Sequence, residues 1–556
     1  MLSGPGGGCR WSVDVPHLRS RASRSRLLAS LVTTAVAATA LAWTAPAHAA
    51  GVATASPLRF ALPGTDRATD VLAVGSDVWV SAGNSVLITS RTGQVKKTVT
   101  GIFGANGLTL GPDAQSVYVS SGSAAAIVEV SVAGAITGSW TSQGCPGKSA
   151  IAAGALYYAY GCASDATGVG RLDLTAHTDT SVLTSSSAQS LTAAGSRLVT
   201  YTSGLGRDVT SYTIGADGSL TKNASMRSDM IYDAELSPDG SQVITTDYDH
   251  VGYNVARYDA TTLALNGTFA TGAYPNAVAW SPDGTRFAGV LNASYETRPV
   301  QVFSAADGTA VTRSIAAGTA SYESQARAAS WSADGKYIFS LVQGYSGAAS
   351  LIVTPAAGQA TSALTVSVTP AGAYGKNATV TVRAPKRPRT AVTVTVTQNG
   401  APTTRTLRTN SSGVATWSLP ARASGTATAT VAADLSYLAA SGTARFATPT
   451  ALAARLAGAS RISKGVAHYK SISAVRANLQ LLPKRYGKVT VTLQHRGGTS
   501  WKTDHRATLT TDANGAVSIV LRQGSRKVLF RLVVKAVADS AAGASPTLVS
   551  PPFIVD

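Results

Sequence analysis

Between Leu58 and Val353, short apolar runs alternate with tight turns. The clearest unit is Ala277-Val-Ala-Trp-Ser-Pro-Asp-Gly284, followed by the apolar run Arg286–Leu291. Ala234-Glu-Leu-Ser-Pro-Asp-Gly240 and Ala329-Ser-Trp-Ser-Ala-Asp-Gly335 repeat it. Each unit predicts strand, turn, strand, because Asp can bond its own backbone and Gly accepts positive φ. Weaker copies are Leu72-Ala-Val-Gly75, Leu108-Thr-Leu-Gly-Pro-Asp113, Ile151-Ala-Ala-Gly154 and Leu191-Thr-Ala-Ala-Gly195. Beyond residue 361 the pattern changes to strict Val/Thr alternation, as in Val392–Val396 and Val489–Leu493. That period of two predicts half-buried antiparallel strands.

The turns near residues 75, 112, 154, 195, 239, 283 and 334 are 37 to 51 residues apart. This is the period of a four-stranded propeller blade, and seven units fit. A spare strand, Leu58–Leu62, is expected to pair with the last blade and close the ring, which removes exposed sheet edges. After the linker Val353–Ser362, two segments match each other. Val392–Val396 corresponds to Val489–Leu493, and Thr409–Leu419 corresponds to Thr511–Leu521. About 100 residues per copy suits a β-sandwich. The expected fold is therefore all-β, a seven-bladed β-propeller followed by two immunoglobulin-like β-sandwich domains. The expected boundaries are 50–355, 356–448 and 449–556. The Ser-Pro-Asp-Gly units resemble the YVTN-type branch of WD40-like propellers. Ala429–Tyr437 resembles the late strand and tyrosine turn of bacterial Ig-like repeats. The first resemblance implies a scaffold shared by lactonases, quinoprotein-like domains and secreted proteins of other roles, so fold alone does not choose a function.

Charge divides the chain. Residues 50–360 hold 17 Lys/Arg against 22 Asp/Glu, whereas residues 361–556 hold 25 against 5. Such a step suggests an anionic partner for the C-terminal third. The basic clusters are Arg383, Lys386, Arg387 and Arg389; Lys484, Arg485 and Lys488; and Arg522, Arg526, Lys527 and Arg531. The expected partner is an anionic cell-wall polymer or an acidic polysaccharide, with no specific nucleic acid, since stacking aromatics are sparse here. At the N-terminus, Arg10, Arg19, Arg21, Arg24 and Arg26 precede an apolar stretch from Leu27 to Trp43 and then Ala47-His-Ala49. This predicts a cleaved signal peptide over residues 1–49 and an extracellular or cell-wall-associated protein with no membrane span thereafter. A membrane anchor is the other reading, disfavoured by the short, Ala- and Thr-rich stretch. Cleavage removes Cys9 and leaves Cys145 and Cys162, which flank a predicted hairpin turning at Gly154. In an exported protein they are expected to form a disulfide rather than two buried thiols.

Candidate chemistry is sparse. The sequence has no Gly-x-Ser-x-Gly elbow, His-Glu-x-x-His helix or Cys-x-x-Cys pair. His177, His250, His468, His495 and His505 are scattered, although His495 and His505 share the last domain. Asp247-Tyr-Asp-His-Val-Gly252 has too few acids for a calcium loop. Asp233 and Glu235 share one face of an inner strand without any further mark of acid–base work. No cofactor or metal is implied. Aligning the seven inner strands puts Asp70, Asn106, Ser149, Ser190, Tyr232, Asn276 and Arg327 at one leading position. A polar ring there would suit a small polar ligand at the channel mouth. The plainer alternative is that residues entering from a solvent loop are polar anyway. Two functions remain open. One is a non-catalytic extracellular binding protein with a ligand-presenting propeller and a basic stalk. The other is a propeller-class enzyme, a lactonase-like hydrolase or quinoprotein-like oxidoreductase, which would need convergent Glu, His and Arg or a cofactor-docking Trp repeat.

Overall fold

The computed structural model describes residues 52–556 except 65–66, 163–166, 185–189, 248–252, 273, 293–298, 315–321, 345–348, 523–524, 538–541 and 544–546. Among the described residues the chain is all-β, with helical turns only at Gly122–Ala124 and Ile472–Ala474. The first part forms seven antiparallel sheets. Their first strands are Ala68–Val74, Ala105–Leu110, Pro146–Ala152, Ser190–Ala194, Ala234–Leu236, Pro275–Trp280 and Tyr322–Trp331. Each first strand lies beside the next, and that of the seventh sheet lies beside that of the first. The seventh sheet takes only three strands from its own stretch of chain. Its fourth is Leu58–Ala61, antiparallel to Ala349–Pro355 with Leu58 opposite Val353. A further strand, Ala53–Ala55, adds in parallel to Ala310–Ser314 of the sixth sheet.

The turn chemistry explains the strongest units. Ser281 donates to Asp283 (2.6 Å), and the same hydroxyl accepts the Arg286 N–H (2.9 Å) across the turn. Asp283 also accepts the Thr285 N–H (3.0 Å). These bonds, the Ser281 hydroxyl first, lower the Asp283 pKa to about 2. Gly284 closes the turn at φ +67°, a region that only glycine enters freely. Asp239 and Asp334 make the equivalent bonds with Ser237 and Ser332. Cores form between neighbouring sheets. Val71, Val78 and Val80 of the first pack against Phe339, Leu341 and Leu351 of the seventh. Cys145 and Cys162 form a disulfide with Cα atoms 5.2 Å apart. They lie at the open end of the hairpin Pro146–Ala152/Ala155–Tyr160, whose turn falls at Ala153-Gly154.

The C-terminal part consists of two face-to-face sheet pairs with the same strand logic. In the first pair, Thr365–Thr369, Asn377–Arg383 and Val414–Pro420 oppose Ala401–Arg408, Ala391–Gln398, Gly425–Val431 and Ala440–Phe446. Their inward residues, such as Val380, Val382, Val392, Val394 and Trp417, form one core. In the second pair, Ala451–Ala457, Arg476–Leu482 and Ala516–Val520 oppose a larger sheet containing Lys488–Gly497, Ser500–Thr510 and Leu529–Ala536. Its core includes Leu479, Leu481, Val489, Val491, Phe530, Leu532 and Phe553. The segment joining the seventh sheet to the first pair is pinned at Gln359. Its side chain accepts the Ser56 N–H (2.5 Å) and donates to the Asp434 carbonyl.

Candidate functional site

A first strand is an edge of its own sheet, so half of its backbone polar groups lack a ladder partner. Side chains from adjacent sheets supply several of those partners. Asp70 accepts the Leu108 N–H of the second sheet (2.8 Å), and Thr109 donates to the Ser149 carbonyl of the third (2.8 Å). Thr192 of the fourth accepts the Leu236 N–H (3.0 Å). Asp233 and Glu235 of the fifth accept the N–H groups of Val278 (3.0 Å) and Trp280 (3.1 Å). The Trp331 indole of the seventh donates to the Ala279 carbonyl (2.9 Å), and Ser330 accepts the Ala73 N–H (3.1 Å). Polar residues on these strands therefore stitch sheet to sheet before they can serve any ligand.

A cavity of about 460 Å³ lies between these strands, with Asp70, Lys148, Thr192, Glu235, Trp280 and Trp331 in its wall. Lys148 reaches from the third sheet to Asp233 of the fifth (Nζ–Oδ1 3.2 Å), and the Tyr201 hydroxyl donates to the same oxygen (2.8 Å). The Asp233 side chain is 1% exposed, that of Lys148 24%. Burial pulls the Lys148 ammonium pKa down, but the anions around it, Asp233 foremost, outweigh burial and hold the proton firmly. Burial raises the Glu235 pKa to about 8, against the opposing pull of Lys148. Burial likewise raises Asp70 to about 6. At neutral pH the cavity thus presents an ammonium and a carboxylic acid. That pair can hold a polar molecule, but it is not a nucleophile–base pair. Among the described residues no group of three His, Cys, Asp or Glu is placed to hold a metal ion.

The seven expected ring residues do not share one level. Pairing with the second strands puts Asp70 opposite Ser81 and Ser190 opposite Tyr201, at the level of Lys148 and Asp233. Ser149 lies one residue further along, opposite Tyr158. Asn106, Tyr232, Asn276 and Arg327 lie one residue earlier. The longer Asp-containing turns account for the four that lie earlier, and Ser149 shifts the other way because Gly154 is the second residue of its two-residue turn whereas Gly75 is the first of its own. Of the six whose side chains are described, Asp70 and Ser149 line the cavity, whose wall also includes Pro238 and Pro282 of the turns. Nothing is described of the Arg327 side chain. Lys148 and Tyr201 were missed. The available signal was a lone lysine entering an otherwise apolar strand, Lys148-Ser-Ala-Ile-Ala152.

The described histidines do not gather. His177 stacks on Trp140, His468 bonds Asp556 (2.8 Å), and His495 bonds Asp504 (2.6 Å) across the strand pair that also carries His505. His250 and residues 248–252 of the acidic loop lie outside the described residues. In the basic clusters, Arg383, Lys386, Arg389, Lys484, Lys488, Arg522, Arg526 and Lys527 are exposed. Arg387 is not available to a polymer. It is buried over the Tyr437 ring, bonding Asp434 (3.0 Å) and the Ala432 carbonyl (2.9 Å). Arg485 is half-buried beside Thr450, and Arg531 is half-buried against Trp501.

No family model and no curated protein matches the chain. Solved structures similar to it are β-propeller proteins of varied roles. Hydrazine synthase of Kuenenia stuttgartiensis matches at 16% identity and TM-score 0.41, covering 52% of this chain and 96% of that one. The Cps50 (Swd1) β-propeller domain of Myceliophteria thermophila matches at 13% and 0.40, covering 54% and 99%. Hsv2 of Kluyveromyces lactis matches at 12% and 0.37, covering 50% and 94%. Likenesses this distant carry nothing about activity.

Proposed function

We propose that this is an exported, non-catalytic binding protein of the cell surface. In this reading residues 50–355 are a closed seven-bladed β-propeller that presents a rigid face. Residues 356–448 and 449–556 are two immunoglobulin-like domains that grip an anionic cell-wall polymer or acidic polysaccharide. The strand shared between the N-terminus and the seventh sheet supports ring closure, and the repeated two-sheet packing supports the tandem. The observation that carries the function is the state of the acids in residues 361–556. Of the five, Asp434 is taken by Arg387, Asp504 by His495, and Asp556 by His468 and Arg461. Asp512 caps a turn by accepting the Ala516 N–H (2.8 Å), and Asp539 lies outside the described residues. Most of the 25 cations therefore face solvent without a neighbouring acid, a field that concentrates polyanions.

The test is retention of the purified chain on cell walls with and without their teichoic acid, across a salt series. Retention on intact walls should fall steeply as the Debye length shrinks from about 10 Å at 0.1 M to about 3 Å at 1 M. Equal retention on both walls, or none at physiological ionic strength, overturns the proposal.

A further inference from the structure

The last domain carries one face on which this charge is organised rather than scattered. Strands Lys488–Gly497, Ser500–Thr510 and Leu529–Ala536 lie side by side. Val489, Val491, Leu493, Phe530, Leu532 and Val534 point into the core. The period of two therefore sends Thr490, Thr492, Gln494, Arg496, Arg531 and Lys535 to the outer face. Register sets Arg496 opposite Trp501, Gln494 opposite Arg531, and Thr492 opposite Arg506. The Arg531 guanidinium lies 4.3 Å from the centre of the Trp501 ring, and that of Arg496 lies 5.7 Å from it. Arg531 Nε also donates to Gln494 Oε1 (2.8 Å), and Arg506 Nε donates to Thr492 Oγ1 (3.3 Å). No acid faces outward among these residues. Asp504, the acid nearest in sequence, is occupied by His495.

An indole is an unusual residue for a solvent-facing strand. Here it serves as a platform that keeps two guanidiniums upright by cation–π contact. A guanidinium held by its Nε or by its face keeps its terminal N–H groups for a ligand, in the fork that takes two oxygens of one phosphate. Side chains already ordered lose little freedom when an anion docks. The three arginines come from three neighbouring strands, about 4.8 Å from one to the next, and converge on the middle one, a cluster that one short stretch of a flexible polyphosphate chain can span.

Resting on the polyanion reading above, we propose that this face is where the polymer binds, and that its occupant is a polyol-phosphate chain of the teichoic-acid type. Arg496, Arg506 and Arg531 are the contacting groups, and Trp501 is a positioning residue.

The experiment measures retention of the full chain on teichoic-acid-bearing walls at about 0.1 M salt. The combined variant Arg496→Ala, Arg506→Ala, Arg531→Ala should lose roughly a hundredfold in affinity, three exposed ionic contacts acting together. A control, Arg383→Ala, Lys386→Ala, Arg389→Ala, removes the same formal charge elsewhere and should lose less than about threefold. The control should melt like the parent; the triple variant also gives up the Arg531–Gln494 and Arg506–Thr492 bonds, so retention is measured well below the melting point of each protein. Trp501→Ala should lose about fivefold, and Trp501→Phe should restore most of it, because a phenyl ring still supports a guanidinium. If the parent binds teichoic-acid walls and the triple variant binds equally, this face is excluded while the broader function stands. If the parent shows no preference for those walls, both fail. If a polyglucuronate or a single-stranded nucleic acid competes as well as teichoic acid, the polyol-phosphate assignment is overturned. If Trp501→Phe behaves like Trp501→Ala, so is the positioning role.

Discussion

Replacing Lys148 with Met tests whether the cavity charges are structural. The variant keeps the length of the side chain and removes the ammonium 3.2 Å from Asp233. Asp233 cannot turn to water, because its side chain is 1% exposed. Removing one partner of a buried pair typically costs 3–5 kcal/mol. Asp233 keeps the Tyr201 hydroxyl and the Val278 N–H, and Lys148 is already a quarter exposed, so about 3 kcal/mol at the low end applies. A region of this size loses about 2 °C per kcal/mol, which gives a drop of about 6 °C at pH 7. Asp233→Asn should cost less, because the stranded lysine still faces Glu235 and Asp70, both of which contribute to holding its proton. Glu235 would then ionise more readily. The double variant should recover part of the loss, since no buried carboxylate is left at position 233. Differential scanning calorimetry of the four proteins decides. A Lys148→Met melt within about 1 °C of the parent would refute the argument, as would an Asp233→Asn variant less stable than Lys148→Met.

Deleting residues 52–63 removes the fourth strand of the seventh sheet and the fully buried Leu62. The deleted chain should melt several degrees lower and gain protease sensitivity near Ala349–Pro355, and an unchanged melt would dismiss the closure role. Burial holds the pKa values of Glu235 and Asp70 near 8 and 6 in the folded protein, above the ordinary 4.5 and 3.8. The folded state therefore binds more protons, so their stabilising share is complete below about pH 4 and is lost as pH rises toward 8. Melts between pH 5 and 8.5 should show this decline, and Glu235→Gln, which can still accept the Trp280 N–H, should flatten it. An identical slope in both proteins would count against a protonated Glu235.

The sheet pattern was legible because it rests on local chemistry. A Ser-Pro-Asp-Gly turn carries its own hydrogen bonds, and a Val/Thr alternation carries its own two faces, so neither needs distant contacts to be recognised. The strand at Leu58–Ala61 was legible for a related reason. It was an apolar run left over once the seven units were counted, and its place in the seventh sheet gives it a partner. The cysteine pair followed from the hairpin between its members. Register was less accessible. A two-residue turn at Gly75-Ser76 and a longer one at Ser281–Arg286 begin at different distances from the cavity, so equal spacing from the turn does not mean equal depth. That offset removed Asn106, Tyr232 and Asn276 from the level of Asp70 and brought Asp233 there; Lys148 stands there in place of Ser149 because Gly154 is the second residue of its turn and Gly75 the first of its own.

Why the site residues resisted reading is a matter of partners. Asp233 and Glu235 looked like an isolated acidic pair because the group that gives them meaning, Lys148, lies 85 residues away on another sheet. Arg387 looked like one member of an exposed basic cluster because its neighbours Lys386 and Arg389 are exposed. Only the fold shows that Asp434 and Tyr437 enclose it, and that its charge serves the domain rather than a ligand. The same logic runs in reverse at Trp501. From sequence it is a lone aromatic near a hairpin tip. From the cross-strand register it is the surface on which Arg496 and Arg531 are arrayed. Net charge can be counted along a chain, but which charges are already spent on the protein itself depends on pairings that cross from strand to strand. Those pairings bury Asp70 and Asp233 among their own cations and donors, and they leave most of the C-terminal arginines, Arg387 apart, exposed.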